Sequence, residues 1–226
     1  MEMLDHVDID EKWFYLSQKI ISYILVPGED PPLCLCKHKN HIEKAMCLIA
    51  MAHPRQDPVT GVWWKGKIGT WFFVEQVPAK RTSKNRAAGT LETKSVSVGQ
   101  KETEDMILDN LFSAILGKWP AWEKRRIRIQ LYNAPPHPKP GKLGKRIAER
   151  LAEYSTVGWD ISFVTQPANS LNLNTLDLAF FRAIQSLQCQ KPAKNLDEMI
   201  KIVHKAYADL PLDVCKNVCG RWCSLL

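Results

Sequence analysis

Apolar and polar residues alternate near the start of the chain. Within residues 5–16, Val7 and Ile9 fall on one side and Asp8 and Asp10 on the other. This period of two residues is typical of a strand with one buried face. The pattern therefore predicts a strand that carries two aspartates on the face opposite its apolar residues.

The next part of the chain predicts a loop and a hairpin. Residues 27–40 are rich in proline and read as a loop. Residues 41–53 are apolar enough for a buried strand, although a helix fits the same pattern. Residues 68–77 predict a third strand, and the turn-forming residues at 54–61 favour a hairpin between these two strands.

The remaining pattern alternates between helices and strands. Residues 78–101 have little apolar periodicity, and we expect them to leave the core as a basic excursion. The periodicity that follows predicts, in order, a helix at 102–118, a strand at 126–133, a helix at 142–154, a strand at 159–165, and helices at 174–189 and 195–209. Asn195 with Glu198 resembles a capping box. The order β-β-β-α-β-α-β-α predicts an α/β fold, a mixed sheet with helices packed on it.

Composition narrows the class of protein. At 226 residues the chain suits one domain, 1–226, with a single sizeable core. It contains no apolar run of about 18 residues and no secretory signal pattern, so we expect no membrane span. Seven cysteines without a secretory signal suggest reduced thiols in a cytosolic or nuclear protein.

Positive charge is concentrated in two stretches. Residues 79–101 hold six Lys/Arg and one acid, and residues 118–150 hold ten Lys/Arg and two acids. Such clustering suits a polyanion such as DNA, although a solvated basic surface would give the same pattern. The candidate DNA-binding residues are Lys80, Arg81, Lys84, Arg86, Lys124, Arg125, Arg126 and Arg128.

Several segments in order resemble one family. The stretches VDIDEKWF, IRIQLYNA and QPANSLNLNTLD, with residues 66–69, 78–90 and 178–188, resemble the catalytic domain of mariner-like DNA transposases of the Tc1/mariner superfamily, particularly the plant-type branch. The resemblance implies a ribonuclease-H-like fold with helices on both faces of the sheet. It also implies an active site of three aspartates that hold Mg²⁺ or Mn²⁺ for DNA cleavage and strand transfer.

Carried over by position, the resemblance implies that Asp10 is the first carboxylate and metal ligand, and that Asp177 is the third. Tyr132 stands where the second aspartate is expected. A neutral tyrosine is a poor Mg²⁺ ligand, since its phenol has an ordinary pKa of about 10. Asp8 and Asn172 stand where the family usually has His and Asp. Only nine residues precede Asp10, so we expect the family's N-terminal helix-turn-helix domain to be absent.

Three functions follow. The favoured one is a transposase-derived domain that binds DNA, mostly without sequence preference, and that is cleavage-defective because of Tyr132. The first alternative is an active Mg²⁺-dependent endonuclease that uses Asp8, Asp10 and Asp177. The second is a co-opted protein-interaction module. A homodimer and a nuclear location fit the resemblance as well.

Four further groups of residues have side chains suited to chemistry or binding, but each also fits an ordinary structural role. Cys34, Cys36, His38 and His41 have the residue types of a Zn²⁺ site, but their spacing favours a plain loop. Trp63-Trp64 suits either the core or a partner contact. His137 among prolines favours a loop residue over a base. Cys215, Cys219 and Cys223 share one face of a predicted helix, which favours burial over reactivity.

Overall fold

The chain is organised around a five-stranded mixed sheet. A computed structural model describes residues 4–16, 42–83, 86–131, 144–165, 176–191 and 193–223, without the side chains of 178 and 218–223. The five strands are β1 His6–Tyr15, β2 Lys44–Ala52, β5 Lys67–Phe72, β8 Arg126–Leu131 and β9 Asp160–Thr165. Their order across the sheet is β5-β2-β1-β8-β9. β1 and β2 are antiparallel, as are β2 and β5, whereas β8 is parallel to both β1 and β9.

Two short ribbons stand apart from this sheet. One joins β3 Arg55–Gln56 to β4 Trp63–Trp64, and the other joins β6 Val74–Pro78 to β7 Leu91–Ser95. We call the second one the basic ribbon, taking it to include the segment 79–90 that connects its two strands.

Helices cover both faces of the sheet, as predicted. On the first face, α1 Gln100–Met106 continues through a π-helical segment, Ile107–Leu111, into α2 Phe112–Lys118, and α3 Lys145–Thr156 lies beside them. On the second face lie a π-helical segment, Leu176–Phe180, then α4 Phe181–Cys189, α5 Leu196–Asp209 and α6 Leu212–Cys223. No helix among the described residues is both long and apolar enough to cross a membrane.

Each face has its own apolar core. Val7 and Ile9 of β1 pack on the first face with Leu111 and Ile115, and Phe14 packs on the second face with Phe181. Alternate residues of β1 therefore contribute side chains to both cores. Asn195 caps α5 by accepting the Glu198 N–H at 2.9 Å, while the Glu198 carboxylate accepts the Lys194 N–H at 2.8 Å.

Two sequence predictions need correction. Residues 68–77 do not form one strand, because the chain leaves the sheet at Phe73. The Phe73 N–H still donates to Met46 O at 2.9 Å, but Phe73 O accepts from Val96 N–H at 3.0 Å, so the chain has changed partner strand. Within residues 78–101, β7 pairs with β6 outside the central sheet. The alternative of a helix at 41–53 is also wrong, because β2 occupies that position.

Several predictions fall outside the described residues. These include the loop at 27–40, the Cys34, Cys36, His38 and His41 group, Lys84, Tyr132, His137 and Asn172.

Candidate active site and basic surfaces

The polar side of β1 lies on the second face of the sheet, between β2 and β8. Asp8, Asp10 and Lys12 alternate with the buried Val7 and Ile9 and so share this face. Asp10 is buried, with 9% of its surface exposed, and Asp10 Oδ1 accepts the Glu11 N–H at 2.8 Å. A carboxylate buried on a central strand is held rigidly, which suits a functional site.

The segment that carries Asp177 lies against this polar side. Asp177 occupies the first turn of Leu176–Phe180, and Asp177 Oδ1 is 3.8 Å from Lys12 Nζ. The same ammonium lies 5.4 Å from the centroid of the Phe181 ring. The fold thus brings Asp177 next to the residue that follows Asp10 on the same strand face.

Lys12 was not predicted as a site residue, although a signal for it exists in the sequence. It lies two residues after Asp10, and the period of a strand places positions separated by two on one face. The ion pair that it forms with Asp177 is half-exposed. In that setting a pair contributes little to stability, so its interest is that a cation already lies beside one candidate carboxylate.

On the other side of β1, β8 brings a buried amide to the site. Gln130 is in register with Asp8 and is 3% exposed, and its Nε2 has no hydrogen-bond partner in the described part of the chain. An amide N–H suits an oxygen acceptor rather than a cation. β8 ends at Leu131, so Tyr132 is the first residue past its described end.

A charged cluster lies at the beginning of β1. His6 Nδ1 is 2.8 Å from Asp5 Oδ1, and Arg128 Nε is 3.3 Å from Asp5 Oδ2. Burial lowers the pKa of His6, although its hydrogen bond to Asp5 acts in the opposite direction. Arg128 is therefore partly neutralised at the position where DNA contact was predicted.

The residues described here do not fit a two-metal centre. No group of three or more His, Cys, Asp or Glu able to hold a metal ion occurs among them. Asp10 and Asp177 supply two of the three carboxylates that the resemblance implies, and an ammonium lies beside the second. Mg²⁺ needs hard oxygen ligands, and the ammonium of Lys12 supplies none.

Comparison of sequences finds no match, whereas comparison of structures finds proteins of similar fold. No protein-family model matches the chain, and no curated protein matches it. A pre-cleavage Mos1 transpososome has a TM-score of 0.61 at 16% identity, over 98% of this chain and 55% of that chain. The Mos1 transposase catalytic domain with Raltegravir and Mn has a TM-score of 0.55 at 16% identity, over 98% and 78%. The catalytic domain of Mos1 mariner transposase has a TM-score of 0.52 at 15% identity, over 97% and 78%.

This chain has the fold of the Mos1 transposase catalytic domain. The ribonuclease-H-like mixed sheet predicted from the sequence is thereby confirmed. The chain spans about half the length of the Mos1 chains in the transpososome and paired-end complexes. Mos1 structures exist with Mn and with Mg, which is a property of Mos1.

Relative to this Mos1-like sheet, the candidate DNA-binding residues fall into two groups. Lys80 and Arg81 lie in the basic ribbon, are exposed and form no ion pair with described residues. Arg86 pairs with Glu92, which also lies 3.7 Å from Lys94. Ribbon residue Thr93 bonds to Asp197 of α5, so the ribbon is fastened to the second face.

The second group lies at the opposite end of β8 from Asp10. β1 and β8 are parallel, with Asp8 beside Gln130. Asp10 lies two residues after Asp8, and Arg126 lies four residues before Gln130. Arg126 and Asp10 are therefore offset by six residues, or about 20 Å, along the strands. Arg126 pairs with Asp160 at 2.9 Å, and the Arg125 guanidinium lies 5.3 Å from the Trp159 ring centroid. The net positive charge at this end is therefore smaller than the sequence count suggested.

The tryptophan pair has mainly a packing role. Trp64 packs edge-on against Trp119 at 5.6 Å, and the Arg55 guanidinium lies within 4.8 Å of both ring centroids. Arg55 also pairs with Glu123 at 2.8 Å. Trp63 faces Lys216 Nζ at 3.4 Å. Cys215 is fully buried, in keeping with a packing role for that position.

Proposed function

We propose that this chain is a transposase-derived DNA-binding domain that no longer cleaves DNA. The observation that carries the proposal is the Mos1 catalytic-domain fold combined with Tyr132 in place of the expected second aspartate. Without a third carboxylate, the site cannot assemble the charge that an in-line displacement at phosphorus requires. A protein of this kind would act on chromosomal DNA, which implies a nuclear location.

The DNA affinity rests on residues away from the pocket. The exposed cations of the basic ribbon attract phosphates whether or not the pocket can react. We therefore expect binding with little sequence preference and a steep dependence on salt, because phosphate contacts carry no base information. Whether two copies bind together is part of the same proposal and can be read from the size of the complex.

One observation favours an alternative. Asp8 shares the face of Asp10 and lies beside Gln130, so it is placed to serve as a replacement ligand. An endonuclease that uses Asp8, Asp10 and Asp177 would then remain active. Lys12 disfavours this alternative only slightly, because its ammonium competes with a metal ion for Asp177 through a weak, half-exposed ion pair.

A plasmid-nicking assay with Mg²⁺ or Mn²⁺ separates these functions. The proteins compared are the wild type, Tyr132→Asp, Asp10→Ala and the double variant Tyr132→Asp/Asp10→Ala. The proposal expects no wild-type nicking above background, and nicking by Tyr132→Asp that the second substitution removes. Wild-type nicking that Asp10→Ala abolishes would establish the alternative instead. Tyr132→Phe serves as the matched control, since it keeps the ring and adds no carboxylate.

A further inference from the structure

The outer edge of β5 forms a groove that the DNA-binding proposal does not use. β5 is the last strand of the sheet in the described part of the chain. α2 on the first face and α5 on the second lie on either side of its open edge. The cavity between them has a volume of about 500 Å³, enough for a few residues of an extended chain.

Backbone groups form the floor of the groove. Ile68 O points outward, since it accepts a hydrogen bond from Lys118 Nζ at 2.6 Å. In the regular part of the ladder the Phe73 N–H donates to Met46 O, so Trp71, two residues earlier, directs its backbone groups toward β2. Thr70 precedes Trp71 and therefore presents its N–H and C=O at the outer edge. An outward-facing row of this kind is a template for one more strand.

The groove carries positive charge. Lys67 and Lys118 line it together with His204, and no carboxylate is among the residues that line it. Lys67 Nζ donates to Ala208 O at 2.8 Å and Leu210 O at 2.7 Å, and His204 Nδ1 is 2.6 Å from Thr70 Oγ1. Burial lowers the pKa of Lys67, so a carboxylate beside it would stabilise its charged form.

An aromatic side chain completes the lining. Trp71 lies in the same groove and supplies apolar contact area beside the cations. Lys118 and Trp71 lie on the first-face side of the edge and Lys67 on the second-face side. An extended segment directs successive side chains to opposite sides, so it meets a lysine on each side and Trp71 on one of them. A DNA backbone offers no N–H or C=O groups to pair with a strand edge, which favours a protein ligand here.

We propose that the outer edge of β5 is a docking site for an extended, acidic segment of a partner protein, which adds to the sheet as a sixth strand. Lys118 would exchange its bond to Ile68 O for a carboxylate of the incoming segment, and the segment's N–H would take over that carbonyl. This site is independent of the pocket around Asp10 and of the basic ribbon.

The test uses fluorescence anisotropy with a labelled, end-capped eight-residue peptide of paired valines and paired glutamates, which presents glutamates on both sides when extended. We expect saturable binding that Lys67→Gln/Lys118→Gln weakens by about tenfold or more, while the matched pair Lys145→Gln/Lys191→Gln leaves it unchanged. Thr70→Pro removes an outward N–H and should abolish binding, whereas Thr70→Val should retain it. If Thr70→Pro does not fold, a peptide N-methylated at alternate residues, which should not bind, gives the same information.

Three results would overturn the proposal. One is equal binding of the glutamate peptide by wild type and by Lys67→Gln/Lys118→Gln. Another is equal binding of a valine-lysine peptide. The third is that the groove substitutions weaken binding of a duplex oligonucleotide, or dissociate a wild-type dimer in sedimentation, since the occupant would then be DNA or a second copy of this chain.

Discussion

The Tyr207 hydroxyl forms a hydrogen bond to β2 where the pairing between β2 and β5 is irregular. The register of β2 with β5 shifts between Ala50 and Met51, and the buried Tyr207 Oη donates to Ala50 O at 2.9 Å. Burial raises the pKa of Tyr207 well above its ordinary value, although the Gly69 backbone acts in the opposite direction. A helix side chain thus provides a hydrogen-bond partner for a strand carbonyl where the ladder shifts.

Tyr207→Phe should therefore destabilise the protein. It leaves the Ala50 carbonyl without this partner in a buried place, and such a loss costs about 1–3 kcal/mol. Urea unfolding should show a lower midpoint with an unchanged slope. Tyr154→Phe is the control. Tyr154 is half-exposed, so water can take the place of its hydroxyl as a hydrogen-bond partner. Equal effects of the two substitutions would contradict the role assigned to Tyr207.

His204 should make stability depend on pH. Burial lowers the pKa of His204 in the folded state below its ordinary value of 6.5, so the unfolded state binds more protons in the window below that value. Stability is therefore lost as pH falls through 6.5. The groups around the ring are Thr70, Phe72, Lys67 and Lys118, none of which supplies a negative charge.

The measurement is urea unfolding of the wild type and of His204→Gln between pH 7.5 and 5.5. His204→Gln should show a smaller loss of stability across this range than the wild type. His6, whose pKa burial also lowers, remains in both proteins and contributes equally. Parallel pH profiles would show that His204 is not the titrating group.

At the scale of elements, two glycines with nearly the same φ separate two effects of adding a side chain. One effect is backbone strain alone, and the other is a steric clash with a neighbouring strand. Gly61 has φ +70° and Gly66 has φ +72°. A Cβ on Gly61 would meet nothing within 4 Å, whereas one on Gly66 would overlap Ala52 O. Gly61→Ala should cost about 1 kcal/mol through the left-handed conformation alone, and Gly66→Ala clearly more, since β2 or the turn before β5 must shift. Equal losses in thermal unfolding would contradict this.

The two basic groups should contribute unequally to DNA binding. Lys80→Gln/Arg81→Gln removes two exposed cations without carboxylate partners in the described chain. The negative slope of log K against log salt should therefore become shallower by about 2. Arg126→Gln/Arg128→Gln should change this slope less, because Asp160 and Asp5 already offset those charges. Filter binding of one duplex at several salt concentrations measures both. A larger effect from the β8 pair would reverse our assignment.

Local patterns in the sequence predicted elements well where each element has one buried face. β1, β8 and α5 lie where alternation or helical spacing placed them. The break at Phe73 was missed because Phe72 and Phe73 are both buried, one in each core, and the apolar run has no polar interruption. β7 was missed because its residues are mostly exposed and pair only with β6.

At the scale of the whole molecule, the pairing between strands determines which distant residues become neighbours, and local sequence patterns do not contain this information. The aspartates of β1 were identified from their pattern and the family resemblance, but their neighbours depend on register. The alignment of Asp8 with Gln130 and of Lys12 with the Asp177 segment joins positions more than 100 residues apart. The same register places Arg126 at the opposite end of β8 from Asp10, so the basic residues at the start of β8 do not adjoin the candidate site.

We propose that this domain of Mos1-like fold binds DNA and leaves it intact. One experiment addresses both halves: an end-labelled duplex is incubated with the wild-type protein and Mn²⁺, and each sample is divided between a native and a denaturing gel. We predict a retarded band on the native gel that disappears as salt is raised, and full-length strands on the denaturing gel at every time. Shortened strands that are absent with Asp10→Ala, or no retarded band even at low salt, would contradict the account.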